Sequence, residues 1–119
     1  MNAYVTREAF TMLKRGVRIN AILPGPTDTP LARANAEWLS FGSDYRAETQ
    51  TAPSTPDEQA HVLVFLCSAA ASHVNGATLV TDLGYVSSGI SGAFAPAVEA
   101  VDFLLDKDGQ IFAVENQRA

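Results

Sequence analysis

Gly16-Val17-Arg18-Ile19-Asn20-Ala21-Ile22-Leu23-Pro24-Gly25-Pro26-Thr27-Asp28-Thr29-Pro30 decides how the rest of the chain is read. Positions 17, 19, 21 and 23 are apolar in strict alternation, which predicts a β-strand over residues 17–23. Pro24-Gly25 ends it, because proline gives no N–H to a ladder and glycine turns the backbone at no steric cost. Upstream, Tyr4 or Val5, Ala9, and Met12 or Leu13 make an apolar stripe at helical spacing. Residues 3–15 therefore read as a helix, with Gly16 after Lys14 and Arg15 as its stop. Segment 24–55 holds Pro24, Pro26, Pro30 and Pro53 and cannot be one regular element, although 31–39 leaves room for a short helix.

Thr55-Pro56-Asp57-Glu58 is the clearest local signal in the chain. The Thr55 hydroxyl can accept from the Glu58 N–H while the Glu58 carboxylate accepts from the Thr55 N–H, and Pro56 stands where a missing N–H costs nothing. The helix is expected to run to about Ala71 and to bury Ala60, Leu63, Val64 and Cys67. Asn75-Gly76 then turns the chain into a short strand over 77–81. Residues 87–92 read as loop, 96–105 as a weaker helix, and 111–114 as a strand set off by Asp108-Gly109. Val98, Val101, Leu104 and Leu105 give that last helix an apolar face. Two strands joined through a helix make a βαβ unit, right-handed almost by rule, so the fold class is α/β.

The whole chain of 119 residues fits one domain, and 47% of it is apolar or aromatic, which marks globular material. Eight Lys and Arg against 13 Asp and Glu give a net charge of −5, and the densest basic group is only Lys14, Arg15 and Arg18. That disfavours nucleic acid or an anionic membrane as a partner, since phosphate binding needs clustered cations. No apolar run reaches the roughly 18 residues of a membrane span. The first residues, Met1 to Lys14, lack the charged lead and apolar core of a signal peptide. A lone Cys67 has no internal disulfide partner and reads as a small buried hydrophobe, which fits a reducing, cytoplasmic setting. His61 and His73 are not spaced as a metal pair, and no metal is expected.

Strand, Pro-Gly loop, irregular segment, capped helix, Asn-Gly turn, strand: this order resembles the last third of a short-chain dehydrogenase/reductase. Residues 16–30 resemble that family's sixth strand and the turn behind the nicotinamide, and 56–68 its following helix. Asn75-Gly76-Ala77-Thr78-Leu79-Val80-Thr81-Asp82-Leu83-Gly84-Tyr85 resembles its last strand, with Leu83 where the family usually has Gly. The wording is most similar to members acting on hydroxysteroids or aryl alcohols. The resemblance covers about residues 3–92 and implies an incomplete Rossmann-type fold. Residues 1–92 are expected to be the carboxyl-terminal part of an NAD(P)-binding domain, and 93–119 a divergent tail with a helix and an edge strand.

The resemblance also implies a site. Ligands of open α/β sheets bind at the carboxyl ends of the strands, which here means Pro24-Gly25. A residue without Cβ lets a flat ring approach the backbone, and Thr27 and Thr29 offer hydroxyl and N–H donors to an amide or a phosphate. Pro24, Gly25, Thr27 and Thr29 are thus the candidate residues for NAD or NADP. The plainer alternative is that Pro24 and Gly25 merely end a strand and Thr29 caps the next helix. Trp38, Phe41 and Tyr45 lie in the segment that forms the family's substrate lid, as a ring-binding wall or a small satellite core. A small hydrophobic alcohol or ketone is the implied substrate, and a homo-oligomer the implied assembly.

Other family features have no match in these residues. No pair of close glycines precedes a helix in the first half, so the glycine-rich phosphate loop is not found, nor is the catalytic Ser. In the family's Tyr-x-x-x-Lys pair the Tyr exchanges a proton with the substrate oxygen and the Lys lowers its pKa. Aligning Thr6-Arg7-Glu8-Ala9-Phe10 with the usual Ser-Lys-x-Ala-Leu puts Arg7 at the Lys and Ala3 at the Tyr; starting from Tyr4 puts Glu8 at the Lys. Tyr4 is then either a helix aromatic or a displaced catalytic phenol, with Arg7 as a cation of different geometry from an ammonium. Weak or absent activity of the isolated 119 residues is the expectation, with an inactive fragment or self-association module as the alternative.

Overall fold

A computed structural model describes the backbone of residues 2–108 and side chains within 3–102. Helix α1, Asn2–Leu13, opens the chain, and the choices left open along its stripe are resolved. Val5 is buried at 3% exposure, Ala9 and Met12 are half-buried, and Tyr4, Phe10 and Leu13 face outward. Gly16 adopts φ +75°. Its N–H donates to the Leu13 carbonyl while the Val17 N–H donates to that of Met12, a Schellman stop that a side chain at Gly16 would strain.

Strand β1 is Ala21–Pro24 and β2 is Thr78–Thr81, paired in parallel with Ala21 opposite Thr78 and Pro24 opposite Thr81. The alternation starting at Val17 begins the ladder too early. Before it, two asparagines bridge by their side chains. Asn75 Oδ1 accepts from the Ile19 N–H at 3.0 Å, and Asn20 Oδ1 accepts from the Ala77 N–H at 3.0 Å. Asn75 Nδ2 also donates to the Ala9 carbonyl, fastening α1 to the amino end of the sheet.

Between the strands come α2 (Pro30–Ala34), α3 (Ala36–Ser40), α4 (Ser43–Thr49) and α5 (Pro56–Cys67). The expected helix over 31–39 is thus two short ones, broken at Asn35, and α4 was not expected at all. The capping box of α5 is present in both directions: Glu58 N–H to Thr55 Oγ1 at 3.2 Å and Thr55 N–H to Glu58 Oε2 at 2.7 Å. The helix stops at Cys67 rather than near Ala71, and Ala69–Ala71 form a separate 3₁₀ turn. Arg18 holds this end, donating to the carbonyls of Leu66, Val74 and Ser68.

The face that α5 buries corrects the sequence reading. Leu66 is 6% exposed, with Gln59 and Val62 half-buried beside it, whereas Ala60, Leu63, Val64 and Cys67 are exposed. Positions 59, 62 and 66 form the face toward β1, and the expected stripe lies about a quarter-turn or more away round the helix, exposed. Periodicity found an apolar face; it did not say which face the sheet would cover.

Of residues 87–92, expected as loop, 87–91 belong to α6, Tyr85–Ser91, and Gly92 caps its end. The Asp82 carboxylate starts it by accepting from the N–H groups of Gly84 and Val86, both at 2.9 Å. Helix α7, Ala95–Asp108, packs on α6 with Ala97 and Val101 buried. The contact depends on Gly89, where a Cβ would stand 2.5 Å from Val101 Cγ2 and 2.6 Å from the Ala97 carbonyl oxygen. Of the expected apolar face of α7, Val101 is buried and Val98 half-buried; the side chains of Leu104 and Leu105, and the strand expected over 111–114, lie outside the described residues. The fold is α/β: a small parallel sheet carrying helices, part of a Rossmann-type arrangement.

Candidate functional site

Both strands end at the same level, Pro24 opposite Thr81, and the chain leaves them by two turns that face each other. The Gly25 N–H donates to the Thr81 carbonyl at 3.2 Å, extending the ladder by one bond. A Cβ on Gly25 would sit 3.0 Å from the Asp82 Cβ and 3.1 Å from its Cα. Close approach of the two turns is thus one reason for glycine here. Thr27 forms an isolated bridge with Ser54: the Ser54 N–H donates to the Pro26 carbonyl and the Asp28 N–H to the Ser54 carbonyl. The Thr27 hydroxyl donates back to the Gly25 carbonyl and lies 3.2 Å from the Ser54 hydroxyl.

Gln59, from the first turns of α5, locks this arrangement. Its amide nitrogen donates to Ser54 Oγ at 2.8 Å and to the Thr81 carbonyl at 3.1 Å, and its oxygen accepts from the Thr81 hydroxyl at 2.6 Å. One half-buried side chain therefore ties the end of β2 to Ser54, which in turn bridges to Thr27 in the turn after β1. Thr29 caps α2, its hydroxyl oxygen accepting from the Ala32 N–H at 3.1 Å. Asp28 pairs in a two-pronged ion pair with Arg33, at 2.6 and 2.9 Å, and the guanidinium holds the exposed carboxyl below its ordinary range.

Beside these turns opens a cavity of about 330 Å³. Leu23 and Val80 border it from the strands, Pro53 from the segment before α5, and Phe41, Tyr45 and Tyr85 from the helical part. The aromatic rings form a chain: Phe41 to Tyr85 at 5.2 Å, Tyr85 to Tyr45 at 5.5 Å, and Tyr45 to Phe94 at 5.3 Å, the last two edge-to-face. Such tilted contacts suit the ring quadrupoles and add stability beyond area burial. The Tyr45 hydroxyl donates to the Leu83 carbonyl at 2.8 Å. Burial first, and the nearby Asp44 charge second, push the Tyr85 phenol up from its ordinary value, so it is neutral at physiological pH.

The two sequence alternatives for Phe41 and Tyr45 merge, because the satellite core is itself the cavity wall. Trp38 lies one cleft further along, with Phe41 and Pro24. Pro24 and Gly25 line the cavity, whereas Thr27 and Thr29 stand just behind it on the turn. Tyr4 and Arg7 do not line it. They sit together on α1, the guanidinium carbon 5.7 Å from the Tyr4 ring centre and Nε bonded to Glu8 Oε1 at 3.1 Å. Gln59, Tyr85 and Phe94 were not singled out as site residues. Tyr85 alone left a trace, in the Gly-Tyr wording after the last strand. Among the described residues no cluster of His, Cys, Asp and Glu suits a metal, and no helix is long and apolar enough to cross a membrane.

Comparison with known proteins agrees with this geometry. The family model for Enoyl-(Acyl carrier protein) reductase matches residues 1–86. The 3-alpha-hydroxysteroid dehydrogenase/carbonyl reductase of Comamonas testosteroni is 38% identical over 82 residues, covering 67% of this chain and 32% of that protein. The crystal structure of gox2181 superposes with a TM-score of 0.62 at 31% identity, over 72% of this chain and 34% of the other. An NADPH-bound short chain oxidoreductase from Pseudomonas aeruginosa PAO1 shares the fold, with a TM-score of 0.54 at 24% identity over 68% of this chain and 34% of that one. The chain spans about a third of the length of the relatives it matches. With the sheet, the capped helix and the Pro-Gly turn all inside the matched residues, this chain belongs to the short-chain dehydrogenase/reductase family.

Proposed function

We propose that these residues form one side of an NAD(P)-dependent oxidoreductase site that interconverts an alcohol and a ketone on a small hydrophobic substrate of the hydroxysteroid or aryl-alcohol type. The observation that carries this reading is turn 24–29, set at the carboxyl ends of both strands and beside an apolar cavity. Among the described residues the N–H groups of Thr27 and Thr29 have no acceptor, and the Thr29 hydroxyl oxygen only accepts. Those free donors suit a carboxamide or phosphate oxygen, so the turn fits the cofactor. Thr27 and Thr29 would hold its amide and pyrophosphate, with Pro24 and Gly25 along the ring edge. When bound, NAD(P) supplies the hydride donor or acceptor. Around it, the chain's own part is to position, through the Gln59 tie, and to exclude water with the aromatic wall.

On this reading Tyr4 is either a helix aromatic or a displaced proton-exchanging phenol, with Arg7 as the cation beside it. Both stand away from the cavity, and the glycine-rich loop and Ser have no counterpart in these residues. The isolated 119 residues are therefore proposed to turn over poorly and to bind cofactor more weakly than about millimolar, some −4 kcal/mol. The test joins a dehydrogenase assay, a calorimetric titration with NAD and NADP, and amide spectra on adding nicotinamide mononucleotide. Shifts at Thr27 and Thr29 support the turn as the nicotinamide side; spectra unmoved there at saturating nucleotide overturn it. A micromolar constant overturns the impaired reading, and activity lost on Tyr4→Phe establishes Tyr4 as catalytic.

A second reading, an inactive self-association module, draws on a different observation. Phe10 is 74% exposed on α1 and Val64 67% exposed on α5, large apolar groups with no cover among the described residues.

A further inference from the structure

Arg46, half-buried on α4, is the cation that lines the cavity. It donates through Nη1 to the Phe41 carbonyl at 2.7 Å and through Nη2 to the Leu39 carbonyl. A guanidinium carries five N–H donors, so one on each Nη and the one on Nε have no acceptor among the described residues. Its charge is unmatched as well. Arg7 pairs with Glu8 and Arg33 with Asp28, whereas no described carboxylate lies within ion-pairing distance of Arg46. The nearby acids are held elsewhere: both Asp82 oxygens accept from N–H groups at the start of α6, and the Asp44 carboxylate accepts from the Tyr45 N–H. Arg18 is also half-buried on carbonyls, but it donates to three of them at the end of α5 and is not part of the cavity lining. A cation that has lost part of its hydration and faces only neutral carbonyls gains from a carboxylate brought to its open edge.

We propose that Arg46 is a specificity-determining residue and that the cavity selects a cyclic carboxylate, its ring against Phe41, Tyr45 and Tyr85 and its carboxylate on the open N–H groups of Arg46. The rest of the bed suits such a ligand, since Leu23, Pro53 and Val80 offer only apolar surface. Arg46 is the lone Lys or Arg in the lining, which matches a monoanion; a phosphate dianion would keep part of its charge unbalanced beside Asp82. The planar fork of a guanidinium also fits the two oxygens of a carboxylate. At about 330 Å³ the cavity is at the small end of the roughly 300–1,000 Å³ usual for ligand pockets, which limits the acid to a few rings. On the oxidoreductase reading above, on which this substrate class rests, the substrate is a cyclic hydroxy or keto acid oriented by its carboxylate end.

The test is run on the 119-residue chain labelled with ¹⁵N, without NAD or NADP. Its failure is thus separate from failure of the cofactor reading, which shows at Thr27 and Thr29 with nicotinamide mononucleotide. Two probes of the same shape are titrated: α-naphthoate, which is anionic, and α-naphthamide, which is neutral. We expect saturable amide shifts within residues 41–46 and 80–86 for both, with α-naphthamide bound about five- to tenfold more weakly, the difference between a charge-assisted and a neutral hydrogen bond. The Arg46 Nε–H signal should move with α-naphthoate and stay nearly in place with α-naphthamide. Arg46→Gln keeps a donor for one backbone carbonyl and removes the charge. It should bring the two probes to equal affinity while α-naphthamide binding persists, which also shows that the variant is folded. Arg46→Lys, with the charge but not the fork, should keep only part of the preference. Equal binding of the two probes by the unaltered chain overturns the proposal. So does an α-naphthoate preference that survives Arg46→Gln, an Arg46 Nε–H signal unmoved at saturation, or no α-naphthoate shift at all. The signal at Nε is read in the unaltered chain, so it decides the matter even where Arg46→Gln does not fold.

Discussion

The carboxyl ends of the strands and the outer faces of α1 and α5 are opposite kinds of surface. At the strand ends the polar side chains of Thr27, Ser54, Gln59, Thr81 and Asp82 find partners within a few ångströms, from three separate segments of the chain. On the outer helical faces Phe10, Leu13, Leu63 and Val64 project with no cover among the described residues. Single exposed apolar residues are ordinary, but runs of them on neighbouring turns mark surfaces that meet something else. The chain is thus locally finished where a ligand would bind and unfinished where more polypeptide would pack. Ligand-end chemistry is short-range and can be satisfied within these residues; helix burial needs area, which a two-stranded sheet does not supply.

The sharpest way to break the finished side is at Gly89. Gly89→Ala would push a methyl into Val101 and into the Ala97 carbonyl, and backbone cannot step aside as a flexible side chain would. The variant is expected to lose roughly 2–3 kcal/mol, outweighing the helix propensity gained. Denaturant unfolding checks this, and an unchanged midpoint would mean that α6 and α7 do not pack as described. Thr55→Ala comes next, with a loss of about 1 kcal/mol from the cap of α5. If the midpoint stays put, the bonds between Thr55 and Glu58 contribute nothing and the helix is held by its packing alone.

How far the sequence could be read follows the same division. The stop at Gly16, the cap at Thr55 and the turn at Asn75-Gly76 were legible because each is set by neighbouring residues. Helix α6 was not, because Ser87-Ser88-Gly89 is poor helix material and, beyond the local Asp82 cap at its start, its support is the flank of α7 along its side. The buried face of α5 was misread because Gln59, a polar residue, lies on it to serve the site, while the apolar stripe at 60, 63, 64 and 67 faces away from the sheet. The position of turn 24–29 could be inferred from the strand pattern. The lock that Gln59 makes with Ser54 and Thr81 could not, since nothing local announces that partners 5 and 22 positions away will meet it.

Leu83 is a smaller test of the finished side. It holds φ +54°, a left-handed conformation that costs a residue with a Cβ about 1–2 kcal/mol, at the position where the family usually has glycine. Its side chain is 68% exposed, so little burial offsets the strain. Leu83→Gly should raise stability by rather less than the strain, about 0.5–1 kcal/mol, because glycine also frees the unfolded chain. A lower midpoint would show that the Leu83 side chain is buried by a contact absent from the described residues.

The smallest expected change in stability belongs to the unfinished side, and it separates the two surfaces most directly. Phe10 and Val64 already face water, so Phe10→Glu with Val64→Glu should move the unfolding free energy by less than about 0.5 kcal/mol. Its effect should fall on assembly instead. Each of the two paired strands has a free edge among the described residues, and both helices present apolar groups outward, so we expect the unaltered chain to form a dimer or larger species at micromolar concentration. The double variant adds two negative charges, taking the net charge from −5 to −7, and places them where apolar contact would form. Light scattering should then report a species nearer the 12.6 kDa of one chain. If the variant assembles as before, association runs through the sheet edges rather than the helix faces. If the unaltered chain is already a stable, folded monomer, the exposed faces of α1 and α5 are tolerated surface. The division between a finished and an unfinished side would then fail, and with it the self-association reading, leaving the cavity and its turn as the whole functional content of the chain.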